Sequence, residues 1–114
     1  MLTLPVTSFK DLCLDAADPL VVGRFWAAAL GQQLEVHDDG DTAVTGPNFL
    51  QLWIDAVPEP KVVKNRVHLD LSTDDVEAEV ARLVALGAAV AAAQPDDGLV
   101  VMHDPEGNEF CVLR

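Results

Sequence analysis

The two halves of the chain repeat one order of predicted elements: a strand, a helix and three short strands. Asp11 lies seven residues before Asp18, and His68 lies seven residues before Asp75. In each half the predicted helix follows the second residue of the pair and ends at a glycine. A unit of about half the chain therefore occurs twice, which restricts the fold to two copies of one packed module.

Local signals define the elements of the first module. Residues 9–15 alternate apolar and polar side chains as a strand does. Asp18 is a good helix N-cap, Pro19 a good first helical residue, and Gly31 a good helix end. The remaining strands are predicted over residues 33–37, 42–45 and 49–56, with turns at 38–41 and 46–48.

The second module follows the same plan after a short connector at residues 58–61. A strand is predicted over residues 66–71. Ser72 and Asp75 have the spacing of a capping box, which predicts Ser72 as the N-cap. An apolar stripe at helical spacing then ends at Gly87, and the strands that follow are predicted over residues 88–93, 99–103 and 109–113.

The turn before the last strand has a physical basis. Asp104 can accept hydrogen bonds from backbone amides, Pro105 presets φ, and Gly107 can take a positive φ. A second turn is predicted at residues 96–98. The two modules therefore span residues 8–57 and 64–114, and residues 1–114 form one domain.

Composition excludes several classes of partner. The net charge of −12 and a pI near 4.2 argue against nucleic acid and anionic membrane surfaces. No stretch is apolar for long enough to span a bilayer, and residues 1–5 lack the features of a signal peptide. We therefore expect a cytoplasmic protein in which Cys13 and Cys111 are reduced thiols.

Four predicted strands each have one apolar and one mixed face. The apolar faces should pack against the helices, and the mixed faces should line the concave side of a curved sheet. A solvated sheet face would give the same alternation, so the pattern permits a pocket without requiring one. The mixed faces carry Asp11, Cys13, Asp15, Gln51, Trp53, Asp55, Arg66, His68, Asp70, Glu109 and Cys111.

Several segments carry a family resemblance when they are taken together. They cover residues 15–19, 24–31, 57–61, 64–71 and 103–112. In this order and spacing they resemble the vicinal oxygen chelate superfamily of glyoxalase I, bleomycin-resistance proteins and extradiol dioxygenases, and above all its glyoxalase-like subgroup. The resemblance implies an α+β fold, with two paired βαβββ modules forming a curved mixed-sheet cup and helices on the outer face. It also implies a homodimer.

The same resemblance implies four positions for metal ligands. They fall on Asp11, Gln51, His68 and Cys111, with Asp55 in place of Gln51 if the register is shifted. The usual residues are His where this chain has Asp11 and Glu where it has Cys111. The ion would be divalent Zn, Ni, Co, Mn or Fe, and a thiolate would favour zinc. Because two positions depart from the pattern, a site without metal is the alternative.

Two functions follow as hypotheses. In one, the protein binds a small molecule in the cup and performs metal-assisted lyase or isomerase chemistry. In the other, it sequesters a ligand without metal or catalysis, as bleomycin-resistance proteins do. An extradiol dioxygenase is disfavoured, because such sites use two histidines and only His68 stands at a ligand position, while His37 and His103 lie beside turns. The sequence assigns no catalytic residue.

The predicted ligand-binding residues are Trp53, Arg66, His68 and Asp70. For most of the site residues a structural role is the alternative. Trp53 can belong to the core, Arg66 can pair with a surface carboxylate, and His68 can be held by structural hydrogen bonds. Likewise, Cys111 can be a packed thiol and Asp11 a solvated carboxylate.

Overall fold

The computed structural model describes residues 6–95 and 98–114. The predictions for residues 1–5 and for Asp96 and Asp97 lie outside the described residues. In chain order the elements are β1 (Leu12–Ala16), α1 (Pro19–Leu30), β2 (Gln33–Val36), β3 (Thr42–Thr45), β4 (Leu52–Ala56), β5 (Leu69–Ser72), α2 (Val76–Leu86), β6 (Ala89–Val90), β7 (Val100–His103) and β8 (Glu109–Leu113).

The described residues form two four-stranded sheets with the same topology. The strand orders are β1-β4-β3-β2 and β5-β8-β7-β6. In each sheet the first and last strands of the module pair in parallel, and the other neighbours are antiparallel. The predicted duplication and the α+β fold are therefore confirmed. In the part of the chain that the structure describes, no helix is long and apolar enough to cross a bilayer.

One hydrophobic core joins the helices to the apolar faces of both sheets. Leu52 and Ile54 of β4 and Phe110 of β8 are at most 3% exposed. They pack with Phe25 and Trp26 of α1 in the same cluster. The apolar faces of β4 and β8 therefore meet α1, as the alternation predicted.

The helix ends follow the sequence signals, with one correction. Asp18 caps α1 by accepting a 3.3 Å hydrogen bond from the amide of Val21. The prediction that Ser72 caps α2 is wrong: the cap is Asp75, which accepts from the amide of Ala78 at 3.1 Å. Ser72 still belongs to β5, where it pairs with Leu113, so its backbone is committed to the sheet.

Three strands begin later than their alternation predicted. β1 begins at Leu12 rather than Phe9, and its register with β4 begins at the pair Leu12 and Leu52. β4 was predicted from residue 49 and β5 from residue 66, and β5 begins at Leu69 opposite Phe110. The residues that precede these pairs lie outside the paired registers, so their alternation does not extend the strands. Phe9 is 90% exposed.

β6 is also shorter than predicted, at Ala89–Val90 rather than residues 88–93. The side-chain amide of Gln94 takes the place of further strand pairing. It donates to the carbonyl oxygen of Val101 at 2.8 Å and accepts from the amide of the same residue at 2.9 Å. The Gln94 side chain thus satisfies the Val101 amide, which a longer β6 would have paired, while the Val101 carbonyl oxygen also accepts from the amide of Ala91 at 3.0 Å.

Polar contacts join the two modules at both ends of α1. The Glu106 carboxylate accepts from the amides of Ala17 and Asp18, at 2.8 and 2.6 Å. At the other end the Arg82 guanidinium of α2 donates to the carbonyl oxygens of Ala28 and Ala29, at 3.3 and 2.8 Å. The modules are therefore docked on each other within this chain.

Candidate functional site

The mixed face of the second sheet brings together an imidazole, a carboxylate and a thiol. The register of β5 and β8 pairs Asp70 with Cys111, and His68 precedes β5 by one residue. Their nearest potential ligand atoms all lie within 4.8 Å of one another. His68 and Asp70 are exposed and Cys111 is buried. His68 Nε2 lies 3.4 Å from Asp70 Oδ1.

The first sheet holds the other two predicted metal ligands. Gln51 Nε2 donates a 3.0 Å hydrogen bond to Asp11 Oδ1. The Asp11 side chain is 14% exposed, so its interpretation as a solvated surface carboxylate is wrong. Among the described His, Cys, Asp and Glu residues, Asp11 is not part of the group formed by His68, Asp70 and Cys111. Among the predicted ligands, the structure therefore shows contact between Asp11 and Gln51 and proximity of His68 to Cys111.

The donor set of the second sheet suits a metal ion. Imidazole, carboxylate and thiolate are zinc ligands, and three protein ligands leave a fourth position for water or substrate. The sequence placed His68 and Cys111 at ligand positions and Asp70 among the ligand-binding residues. The two-residue spacing of His68 and Asp70 on one strand face is the signal that also assigns Asp70 to this group.

Trp53 lies apart from this group, on the mixed face of the first sheet. Its Nε1 donates to Asp41 Oδ2 at 3.1 Å, and its ring packs against His37 with centroids 4.6 Å apart. The amide of Ala56 and then the Trp53 indole lower the pKa of the Asp41 carboxyl. The tryptophan is therefore held by its own sheet, through a carboxylate that stays ionised.

A cavity runs along the boundary between the modules, and we call it the seam cavity. Its wide part has a volume of about 360 Å³ and is lined by β1, the connector and the residues before β5. Its narrow part has a volume of about 200 Å³ and reaches Trp26. The two parts lie side by side, because both are lined by Cys13, Leu14, Asn65, Val67 and Asn108.

The lining differs between the two parts. Apolar side chains of both modules surround the narrow part, with His68 and Glu109 among the few polar groups. Charged side chains line the wide part, Arg66 among them. Asp70 lines a neighbouring cavity of about 210 Å³ between the sheets. Of the four predicted ligand-binding residues, Arg66, His68 and Asp70 therefore lie along this boundary, and Trp53 does not line these cavities.

Glu109 anchors the connector to the wall of the seam cavity. It forms an ion pair with Lys61 and accepts a 2.9 Å hydrogen bond from the amide of Asn65. Desolvation alone would raise the pKa of Glu109, but the hydrogen bonds from Lys61 and Asn65 outweigh it and lower the pKa to about 2. The wall is thus fixed by a carboxylate that stays ionised.

Cys13 lines both parts of the seam cavity from β1. Desolvation, followed by the carboxylates of Asp55, Asp11 and Asp15, raises the pKa of its thiol. Both Cys13 and Cys111 are thiols, as expected from the sequence. Cys13 therefore contributes a neutral, weakly nucleophilic group to the cavity.

The family follows from a match over almost the whole chain. A family model described as a glyoxalase-like domain matches residues 11–113. The chain belongs to the glyoxalase-like family. Its resemblance to the vicinal oxygen chelate superfamily is thereby confirmed. No curated protein matches this glyoxalase-like domain.

Solved structures share the fold at low sequence identity. A glyoxalase/bleomycin resistance protein/dioxygenase family enzyme from Burkholderia phytofirmans has a TM-score of 0.73 at 17% identity, over 93% of this chain and 97% of its own. A trypanothione-dependent glyoxalase I from Leishmania major has a TM-score of 0.66 at 17% identity, over 96% and 87%. TnmS3, an antibiotic-binding protein from a Streptomyces species, has a TM-score of 0.65 at 22% identity, over 97% and 98%.

Proposed function

We propose that this glyoxalase-like domain binds a small organic molecule in the seam cavity. The observation that carries the proposal is an apolar recess between two modules, with polar groups gathered at one end. Its combined size falls in the range of small-molecule sites, which are concave and mostly apolar with a few polar groups for orientation. The fold of the antibiotic-binding protein TnmS3 supports the same assignment.

We expect most of the binding free energy to come from burial of apolar ligand surface in the narrow part. Leu12, Leu14 and Leu52 of the first module and Leu69 of the second line this part. Each 100 Å² of apolar surface removed from water contributes about 2.5 kcal/mol. Trp26 closes the narrow part. An aromatic or branched aliphatic group fits these contacts.

A pair of variants in the segment between β4 and β5 tests the proposal. Val67 lines both parts of the seam cavity and is 72% exposed, so Val67→Phe narrows the cavity without disturbing the core. Val62 is 82% exposed and does not line the seam cavity, so Val62→Phe is the matched control. We expect neutral aromatic ligands to raise the melting temperature of the chelator-treated wild type and of Val62→Phe, but not of Val67→Phe. Equal responses of both variants contradict the proposal.

A metal-assisted lyase or isomerase is the second candidate, and it rests on the group formed by His68, Asp70 and Cys111. These three residues would hold a divalent ion, and the chemistry that the ion would supply is polarisation of a substrate carbonyl group. His68 lines the narrow part of the seam cavity, so a ligand bound there would reach the group. Asp70 contributes charge next to the imidazole, which favours a cation at this position.

Cobalt binding tests the second candidate. A thiolate ligand gives Co²⁺ a charge-transfer absorption band that a site without sulfur lacks. We expect this band in the wild type and in Cys13→Ser, and its loss in Cys111→Ser and His68→Ala. Cys13 is the matched control because it is a thiol on the other sheet. Absence of stoichiometric binding in the wild type overturns this candidate and leaves the binding function intact.

A homodimer is part of the proposal. The radius of gyration is 15.5 Å, whereas a compact chain of this length has about 13 Å. The apolar residues Val62, Val63 and Val67, between β4 and β5, are all at least 72% exposed. Light scattering coupled to gel filtration measures the mass of the particle in solution. A monomeric mass at micromolar concentration contradicts the proposed homodimer.

A further inference from the structure

Charged groups of both signs face the wide part of the seam cavity without touching one another. Asp15 and Glu59 contribute carboxylates, and Arg66 contributes a guanidinium. Within the described ranges, none of the three belongs to an ion pair of 4.0 Å or less. Lys61 differs, because it lines the same part but is engaged by Glu109. Three charges are therefore available to a ligand.

The signs of these charges restrict the ligand. An anion without a positive group would meet Arg66 but also two carboxylates, in a protein of net charge −12. A cation without a negative group would meet the carboxylates but also Arg66. The raised pKa of the Cys13 thiol keeps it neutral, so this residue adds no charge that an anion or a cation would meet. A ligand that carries both charges meets all three groups favourably.

We propose that the seam cavity takes an amino-acid-like zwitterion. Its carboxylate lies at Arg66, whose planar fork matches a carboxylate in bidentate geometry. Its ammonium lies between Asp15 and Glu59, and its apolar side chain enters the narrow part towards Trp26. This inference rests on the proposed function, since it specifies the ligand class of the same cavity.

A set of four ligands with the same phenyl group separates the two charges. Phenylalanine carries both, hydrocinnamate only the carboxylate, phenethylamine only the ammonium, and phenethyl alcohol neither. We expect calorimetry to give phenylalanine at least about tenfold tighter binding than each of the other three, since a charged hydrogen-bonded contact contributes that much. Equal binding of phenylalanine and phenethyl alcohol overturns the zwitterion but keeps the cavity as a ligand site. Binding of none of the four overturns both proposals.

Variants assign each charge to its residue. In Arg66→Gln we expect phenylalanine to bind no more tightly than phenethylamine, because the partner of its carboxylate is gone. In the double variant Asp15→Asn with Glu59→Gln, we expect phenylalanine to bind no more tightly than hydrocinnamate, because the partners of its ammonium are gone. Lys64→Gln is the matched control, because Lys64 is an exposed cation of the same segment that does not line the seam cavity. Unchanged selectivity in Arg66→Gln overturns the assignment. Melting temperatures report whether each variant is folded.

Discussion

Trp26 of α1 and Asp104 of the last turn are joined by a buried hydrogen bond across the two modules. The indole Nε1 donates to Asp104 Oδ2 at 3.0 Å, and Asp104 is 3% exposed. The same carboxylate accepts from the backbone amides of Glu106 and Asn108, at 2.9 and 3.0 Å. One side chain therefore shapes the last hairpin and docks the first helix. Because Trp26 also lines the narrow part, this contact fixes one wall of the seam cavity.

Removal of this carboxylate should destabilise the protein strongly. Asp104→Ala leaves the Trp26 indole and two backbone amides without their acceptor in a buried place, and we expect a loss of about 3 kcal/mol or more in the free energy of unfolding. Urea denaturation measures it. The matched control is Asp74→Ala, at an exposed position, which should change stability by less than about 0.5 kcal/mol. Similar losses in both variants contradict the assigned role.

The Glu106 carboxylate should stabilise the start of α1. Both of its oxygens accept backbone amides, from Ala17 and Asp18, and a negative charge at a helix N-terminus is favourable. We expect Glu106→Ala to lower the free energy of unfolding by about 1–2 kcal/mol. Glu106→Gln should lose part of this, because an amide can accept only one of the two donors. A loss in Glu106→Gln as large as that in Glu106→Ala would assign the effect to charge rather than to geometry.

Much of the fold could be predicted because its signals are local. Asp18 and Gly31 bound α1 through contacts within one turn, and β8 has the bounds that its alternation gave. The repeat was informative at a longer range, since it aligned Asp75 with Asp18, and both residues cap a helix. The local capping-box pattern at Ser72 failed because pairing with β8 holds that residue in the sheet.

The site could be predicted only in part. His68 and Cys111, which the family resemblance placed at ligand positions, lie close together. Asp11 and Gln51 lie on the other module, so their place relative to this group depends on how the modules dock, which no short segment encodes. The seam cavity has the same origin, since it is bounded by residues of both modules such as Leu14 and Val67. Docking geometry, rather than strand alternation, determines which side chains line this cavity.

Gly23 should resist substitution although it lies inside a helix. Helix propensity alone predicts that Gly23→Ala stabilises the protein by about 1 kcal/mol. An added Cβ, however, would lie 2.5 Å from Thr42 Oγ1 and 2.8 Å from Leu34 Cδ1. Thr42 is buried and donates to the carbonyl oxygen of Pro19 at 2.8 Å, so it cannot retreat without losing that bond.

We therefore expect Gly23→Ala to destabilise the protein by about 1–3 kcal/mol, as overpacking does. The double variant with Thr42→Ser keeps the hydroxyl and removes a methyl group, and it should not restore stability. The double variant with Thr42→Ala removes the colliding oxygen and should cost less than the sum of the two single changes. Thermal unfolding of the wild type, Gly23→Ala, Thr42→Ala and their double variant gives the coupling free energy between the two positions. Strict additivity would show that the collision is absent.

The Glu109 carboxylate should make stability depend on acid pH. Desolvation opposes its ionisation, but Lys61 and the amide of Asn65 lower its pKa from an ordinary value of 4.5 to about 2. The folded protein thus holds the ionised form more tightly than the unfolded chain. The stabilisation is fully present above pH 4.5 and is lost as the pH falls from there towards 2.

Replacing Glu109 with glutamine should remove this dependence. We expect Glu109→Gln to be less stable than the wild type at neutral pH and to approach it near pH 2, so that its stability changes less steeply between these values. Glu77→Gln, exposed in the first turn of α2, should instead follow the wild-type curve. Urea midpoints measured across this pH range give the three curves. A constant difference between Glu109→Gln and the wild type would show that packing, rather than ionisation, accounts for the effect.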